Sequence, residues 1–272
     1  MNCKEVERAM VTWLLDYCRR CKLETLVVGL SGGIDSAVVA KLCEKVREAS
    51  DKEISVTCVS MPINILVDVL GNDSQFRAEK LASKMDVAFY KYGIGSILLP
   101  VHNMGLTKTA LGQGNFAARI RTNILYDFAG RHNGIVVGTG NLDEEYIGYC
   151  TKGGDGLSDV LPLAEFHKKE VYELGKYWDV DKEILEAAPS AELWEGQTDQ
   201  KELSELIGVN NVTYDEIGEA IDILRNDVNS CQYPDRLTKI IKEVELLHNR
   251  NRHKSQPPQS FSRRFWLDFL SN

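Results

Sequence analysis

Six consecutive residues, Ser31-Gly32-Gly33-Ile34-Asp35-Ser36, combine the features that an anion cradle needs. The two glycines let the backbone turn tightly and bring its N–H groups against a ligand. The apolar run AVVAKLCEKV that follows reads as a helix, and the start of a helix adds partial positive charge. Asp35 stands at that same helix start, where a carboxylate opposes a phosphate unless a cation lies between them. Mg²⁺ bridging the carboxylate and the phosphate oxygens is the simplest resolution. A Gly-Gly turn capped by Ser or Asp is common where a strand enters a helix, but the fixed residue types here make a chance match rarer than roughly one in a thousand. The GxxxxGK[ST] spacing of a P-loop is absent. That points away from γ-phosphate transfer, toward a loop that holds the pyrophosphate end of ATP while a bond breaks at the α-phosphate.

A second group of candidates follows a later strand pattern. Thr139, in Gly138-Thr139-Gly140-Asn141, stands at a strand's carboxyl end and is suited to hydrogen-bonding a nucleotide. Asp143, Glu144 and Glu145 place three adjacent carboxylates just beyond it. Any one of them can complete a metal site with Asp35, although an acidic run is more often a solvated face. The loop at 148–159, GYCTKGGDGLSD, is long, polar and carries Lys152. It fits a lid that closes over ATP and excludes water from a reactive adenylate.

These residues need a scaffold, and the pattern of the chain supplies one. Apolar, β-branched runs of strand length fall at 25–29, 54–60, 87–92 and 134–138. Helical patterns lie between them, at about 34–49, 74–85 and 115–132. This rhythm predicts an α/β fold in which a parallel sheet carries helices on both faces. Ligands bind such sheets beyond the carboxyl ends of the strands, which selects the loops at 30–36, 60–73 and 139–161. After residue 165 the strand runs stop, and helical patterns follow at about 167–178, 201–207, 213–226 and 234–249. One domain spanning 1–272 is expected, with an α/β nucleotide-binding core at 1–165 and a helical C-terminal part at 166–272 packed on it.

Composition narrows the partners. The formal net charge of −8, with no block of Lys or Arg, argues against a protein that grips long nucleic acid. No stretch approaches the roughly 18 apolar residues of a membrane span, and MNCKEVERAM lacks the basic start and apolar run of a secretion signal. A soluble, cytoplasmic protein with no membrane partner is expected. The seven cysteines are scattered, and the single CxxC of Cys18 and Cys21 lacks the second pair that a zinc site wants, so they read as reduced thiols.

The SGGIDS run resembles the signature of the N-type ATP pyrophosphatases. That resemblance implies a Rossmann-like, adenine nucleotide alpha hydrolase-like fold and cleavage of ATP to AMP and pyrophosphate through an adenylated substrate. Four further segments discriminate within the group: Asn115-Phe-Ala-Ala-Arg119-Ile-Arg121, Gly138-Thr139-Gly140-Asn141, the loop at 148–159 running into Leu161-Pro162-Leu163, and Ala188-Pro189-Ser190-Ala191-Glu192-Leu193. In order and spacing they are similar to the ammonia-dependent NAD synthetases, from about residue 25 to His253-Lys254.

The resemblance implies amidation of deamido-NAD by ammonia. It assigns Gly29, Leu30, Ser31, Gly32, Gly33, Ile34, Asp35, Ser36, Thr139, Lys168 and Ser190 to ATP. It assigns Arg119, Lys152, Asp159, His253 and Lys254 to deamido-NAD, and Asp35 with Glu144 to Mg²⁺. Asp35 and Lys168 are the expected catalytic residues, with Asp155, and Asp159 as its alternative, on the lid as the candidate base for ammonium. Gly153 and Cys150 depart from the family's usual tyrosine and aromatic residue. The resemblance also implies a homodimer. About 24 residues precede the first strand, too few for a glutamine-hydrolysing domain, so free ammonia is the expected nitrogen source. Rival readings are another N-type ATP pyrophosphatase, GMP synthetase-like or RNA-modifying, or a non-catalytic adenine nucleotide sensor. The acidic charge opposes the RNA enzyme, and Lys152 with its glycines opposes the sensor.

Overall fold

Runs such as TLVVG have no polar face, and in a parallel sheet they need none, because helices cover both sides. A computed structural model describes residues 1–63, 73–189, 198–226 and 233–263 of the chain. Its sheet contains β1 (Thr25–Gly29), β2 (Ser55–Ser60), β3 (Ala88–Lys91) and β4 (Gly134–Val137), all parallel, in the order β3-β2-β1-β4. Val160 adds a parallel bridge to Val137 on the outer side of β4.

Successive side chains point to opposite faces of a strand. Leu26, Val28, Val56, Cys58, Ile135 and Val137 enter one core, while Val27, Val59 and Val136 enter the other. The first core takes in α1 (Cys3–Cys21), α2 (Ile34–Ala49), α3 (Asp73–Ser83), α7 (Lys168–Tyr177) and α8 (Lys182–Leu185). The second is closed chiefly by α5 (Ala110–Arg131), with Ile94 and Leu98 from the start of α4 (Gly95–Asn103). A third core joins α6 (Leu142–Ile147) to α9 (Asp199–Ile207), α10 (Tyr214–Arg225) and α11 (Asp235–Asn251).

Four helices depart from the pattern reading. α1, α4 and α8 stand where no helix is expected, and α6 occupies part of the 139–161 segment read as loop. α5 begins at Ala110, five residues ahead of the expected 115, because the Thr109 side chain caps it by accepting from the Gly112 N–H at 3.0 Å. Gly112 and Gly114 weaken helix propensity there, and the cap together with packing prevails.

Candidate active site

The chain runs from β1 to β2 to β3 in one direction, then returns to the far side of β1 as β4. The carboxyl ends of β1 and β4 therefore flank the point where the winding reverses, which is where an open α/β sheet leaves a crevice. Both local motifs stand there. After β1, Gly32 adopts φ +88° and turns the chain into α2. Gly33, the N-cap residue, has no side chain to occupy the first-turn amides of α2. The serines brace the turn from within: Ser31 Oγ accepts from the Gly33 N–H at 3.2 Å, and Ser36 Oγ donates to the Gly33 carbonyl at 3.0 Å. After β4, Asn141 and Glu144 form a capping box that starts α6 and sets the direction of the Glu144 side chain.

Lys168, buried at the first position of α7, joins the two motifs. Its Nζ lies 2.6 Å from Asp35 Oδ2 and 3.1 Å from Glu144 Oε1. Asn141 Nδ2 donates to the other Asp35 oxygen at 3.0 Å. The Tyr214 hydroxyl lies 2.8 Å from Asp199 Oδ2 and 3.2 Å from Glu144 Oε1, and the Tyr214 ring sits 4.9 Å from Lys168 Nζ. Burial opposes the Lys168 charge, but Asp35 and Glu144 more than offset it and hold the ammonium protonated far above neutrality. Burial raises the Glu144 carboxyl to about 7, against the pull of Lys168 and with the help of Asp35 and Asp199.

A cleft of about 1000 Å³ opens on this cluster, a size suited to a nucleotide and a second substrate. Gly29, Leu30, Ser31, Gly33, Ile34, Asp35, Ser36, Thr139, Glu144, Asp155, Lys168 and Lys254 line it, and Gly32 sits in the loop between its neighbours. Ser190 lies outside the described residues.

Arg119, Lys152, Asp159 and His253 do not line the cleft. Arg119 Nε donates to the Lys152 carbonyl at 3.2 Å, and Lys152 Nζ donates to the His253 carbonyl at 2.6 Å. Asp159 Oδ2 accepts the Val136 N–H at 2.7 Å, at the outer side of β4. Lys254, while lining the cleft, donates to the carbonyls of Gly148 and Cys150 at 2.7 and 2.9 Å. The loop after α6 is thus tied to the C-terminal segment and to α5. Asp155 closes that loop on itself by accepting the Thr151 N–H at 2.9 Å.

Sequence reading did not single out Asn141, Asp199 or Tyr214 as contributors to the cluster. Asn141 had a readable signal, since N-x-x-E is a capping pattern. Tyr214 and Asp199 had none, because they arrive through the docking of α9 and α10. Removing the Tyr214 hydroxyl leaves a buried carboxylate without that donor. Tyr214→Phe is therefore expected to lower stability by about 1–3 kcal/mol in urea unfolding; unchanged stability rules out this role for the hydroxyl.

Residues 6–258 match the NAD synthase family model. The chain belongs to the NAD synthase family. Among its relatives, the NH(3)-dependent NAD(+) synthetase of Methanococcus aeolicus is 38% identical over 207 residues, 75% of this chain and 78% of that one. Two solved structures of the fold cover 96% of this chain. NMN synthetase from Francisella tularensis is 36% identical with a TM-score of 0.75, and 99% of it is covered. NH3-dependent NAD synthetase from Campylobacter jejuni is 25% identical with a TM-score of 0.77, and all of it (100%) is covered. The family's α/β fold is the one described above. Among the described residues no helix is long and apolar enough to cross a membrane.

Proposed function

We propose that this NAD synthase family member amidates deamido-NAD with ammonia, converting ATP to AMP and pyrophosphate. It is a ligase that forms a C–N bond. The observation that carries the reading is the Lys168 ammonium held between Asp35 and Glu144 beside uncapped first-turn amides of α2. The nicotinate carboxylate attacks the α-phosphorus of ATP, and the loop amides with Lys168 hold the departing pyrophosphate. Ammonia then attacks the acyl adenylate. A carboxylate oxygen is a very poor leaving group and AMP a good one, so activation comes first. The loop at 148–159 excludes water from the adenylate, and Asp155, which lines the cleft, is the candidate proton acceptor for ammonium.

Asp35 and Glu144 are the residues that would hold Mg²⁺. Their oxygens are hard donors, and the ammonium between them marks a place where positive charge is favoured. Two carboxylates plus substrate phosphates are a usual Mg²⁺ environment; when bound, the ion would neutralise charge on the phosphates. Arg119, Lys152, Asp159, His253 and Lys254 are proposed for the dinucleotide, which requires the ties of the loop to loosen. Ser190 is proposed for ATP. The interlocking of cores across residue 165, with α6 packed among the later helices and α7 against the sheet, supports one domain. Exposed Ile97, Leu99, Met104, Leu106 and Leu111 give α4 and the start of α5 an apolar face suited to a homodimer. The six described cysteines are free thiols, in keeping with a cytoplasmic enzyme.

The 36% identity to NMN synthetase, against 25% to the Campylobacter jejuni NAD synthetase, favours a second reading in which the carboxylate substrate is the mononucleotide. One assay decides both. Purified protein is given MgATP and ammonium with either nicotinate adenine dinucleotide or nicotinate mononucleotide, and nucleotides are quantified. AMP matching the amide formed from the dinucleotide is expected. Preference for the mononucleotide selects the second reading; ADP, or no turnover with either, sinks both.

A further inference from the structure

Next to the Lys168 cluster lies a second set of ionisable groups that the reaction does not use. His167 touches both Asp143 and Asp222, and none of the three lines the cleft. His167 Nδ1 is 2.6 Å from Asp143 Oδ1, and Nε2 is 3.0 Å from Asp222 Oδ1. Ionised carboxylates only accept hydrogen bonds, and a neutral imidazole has one N–H to give, so the two contacts together call for an imidazolium. Asp143, 1% exposed, turns its other oxygen to the backbone N–H of Lys168 at 2.8 Å.

The arrangement ties together three elements that each bring a residue to the cluster. Asp143 is on α6, one position before Glu144; His167 caps α7, one position before Lys168; Asp222 is on α10, which begins at Tyr214. Gly218 of α10 makes room for the ring, since a Cβ there would lie 3.0 Å from His167 Nδ1. On its own helix, Glu170 accepts the His167 backbone N–H at 2.9 Å. The Arg225–Glu165 ion pair, at 2.6 Å, joins α10 to the segment before α7.

We infer that His167 is a positioning residue: its imidazolium, held by Asp143 and Asp222, fixes the backbone at Lys168 and so places the ammonium that meets Asp35, Glu144 and the ATP phosphates. The inference rests on the reading of Lys168 as a phosphate contact. Without the ring, the buried Asp143 loses one of its two donors, and the link from α6 to α10 is cut. The hydrogen bond to Asp143 is the main influence on the ring; burial opposes its charge and Asp222 supports it, and the net effect raises its pKa from the ordinary 6.5 to about 9. A raised pKa means that the tie is complete below the ordinary histidine value and is lost as pH rises through about 9.

The test is ATP–pyrophosphate exchange with deamido-NAD as a function of pH, because that half-reaction needs no ammonia and the titration of ammonium does not intrude. The imidazole of His167 is titrated in the same full-length proteins by NMR. Wild type is expected to lose exchange along an alkaline limb that coincides with the imidazole midpoint. Asp222→Asn is expected to move both to lower pH together by roughly half a unit or more. His167→Gln is expected to lower the exchange kcat about tenfold or more at pH 7 and to abolish the limb. A limb that persists in His167→Gln, or one that does not follow the imidazole in Asp222→Asn, overturns the inference. If His167→Gln does not fold, the Asp222→Asn comparison decides alone. Exchange absent from wild type with both candidate substrates overturns the functional reading itself, and the inference with it.

Discussion

Asp35→Asn is expected to leave the fold intact and to lower ATP–pyrophosphate exchange at least about a hundredfold. Asparagine keeps the shape of the side chain and one oxygen, so the Asn141 contact, now 3.0 Å, has a partner after substitution. What is lost is charge at the start of α2, where a cation would bridge to phosphate. The Lys168 ammonium would then be balanced by Glu144 alone. That balance is adequate for folding, because Asp35 is one of the charges that push the Glu144 carboxyl up to about 7. Removing it lowers the Glu144 pKa and leaves the buried ammonium facing an ionised partner. Circular dichroism and the unfolding midpoint should therefore resemble wild type while exchange collapses. Near-normal exchange at saturating Mg²⁺ would refute the role of Asp35 in holding the ion.

Lys168→Met is the informative contrast. It leaves Asp35, Glu144 and Asp199 as neighbouring carboxylates with no ammonium among them, so one of them must take up a proton or the cluster must open to water. Charge balance in this site thus depends on a cation at its centre. The net charge of −8 argues against a long phosphate backbone as partner but not against a phosphate pocket. A few placed positive groups suffice there, chief among them a buried ammonium and the amides of one helix start.

The parts of this arrangement legible in the sequence are those whose determinants are local. β1 and β4 run within a residue of the expected spans because strands covered on both faces must be apolar throughout. The loop at 30–36 is readable because two glycines, a helix start and Asp35 make one local device. α4 escaped because Pro100 stands inside it, which reads as a break, although Gly95–Asn103 continues through it. α1 carries Asn2 as a cap, accepting from the Glu5 N–H at 3.4 Å, a signal that apolar runs do not register. The contacts of Tyr214 with Glu144 and of His167 with Asp222 span 70 and 55 residues of sequence. Periodicity shows that α10 has an apolar face but not which helices that face will meet. Those pairings follow from the third core, where Ile217, Ala220 and Ile221 pack with Leu142 and Ile147.

The loop proposed to hold phosphate offers the most severe single test of geometry. Gly32→Ala is expected to abolish productive ATP binding while the sheet still forms. At φ +88° an L residue is strained by roughly 1–2 kcal/mol before any contact is considered. The added Cβ would also lie 2.0 Å from the backbone oxygen of Ser74, in the first turn of α3. No rotamer relieves a clash between a methyl group and a carbonyl, so either the loop or α3 must shift. The Gly32 carbonyl accepts Arg77 Nε at 3.1 Å, so the loop cannot rotate without losing that bond to the same helix. A loss of stability of about 3 kcal/mol or more is expected, set mainly by the clash. β1 and α2 keep their own core contacts on either side of the loop, which is why folding should survive in native buffer. The damage to binding comes from re-aiming the first amides of α2, since a displacement of about 1 Å in a positioned group can cost a hundredfold. ATP binding by calorimetry, paired with urea unfolding, separates the two effects. Wild-type affinity for ATP in a folded Gly32→Ala protein would show that the positive φ of this loop is not what shapes the phosphate site.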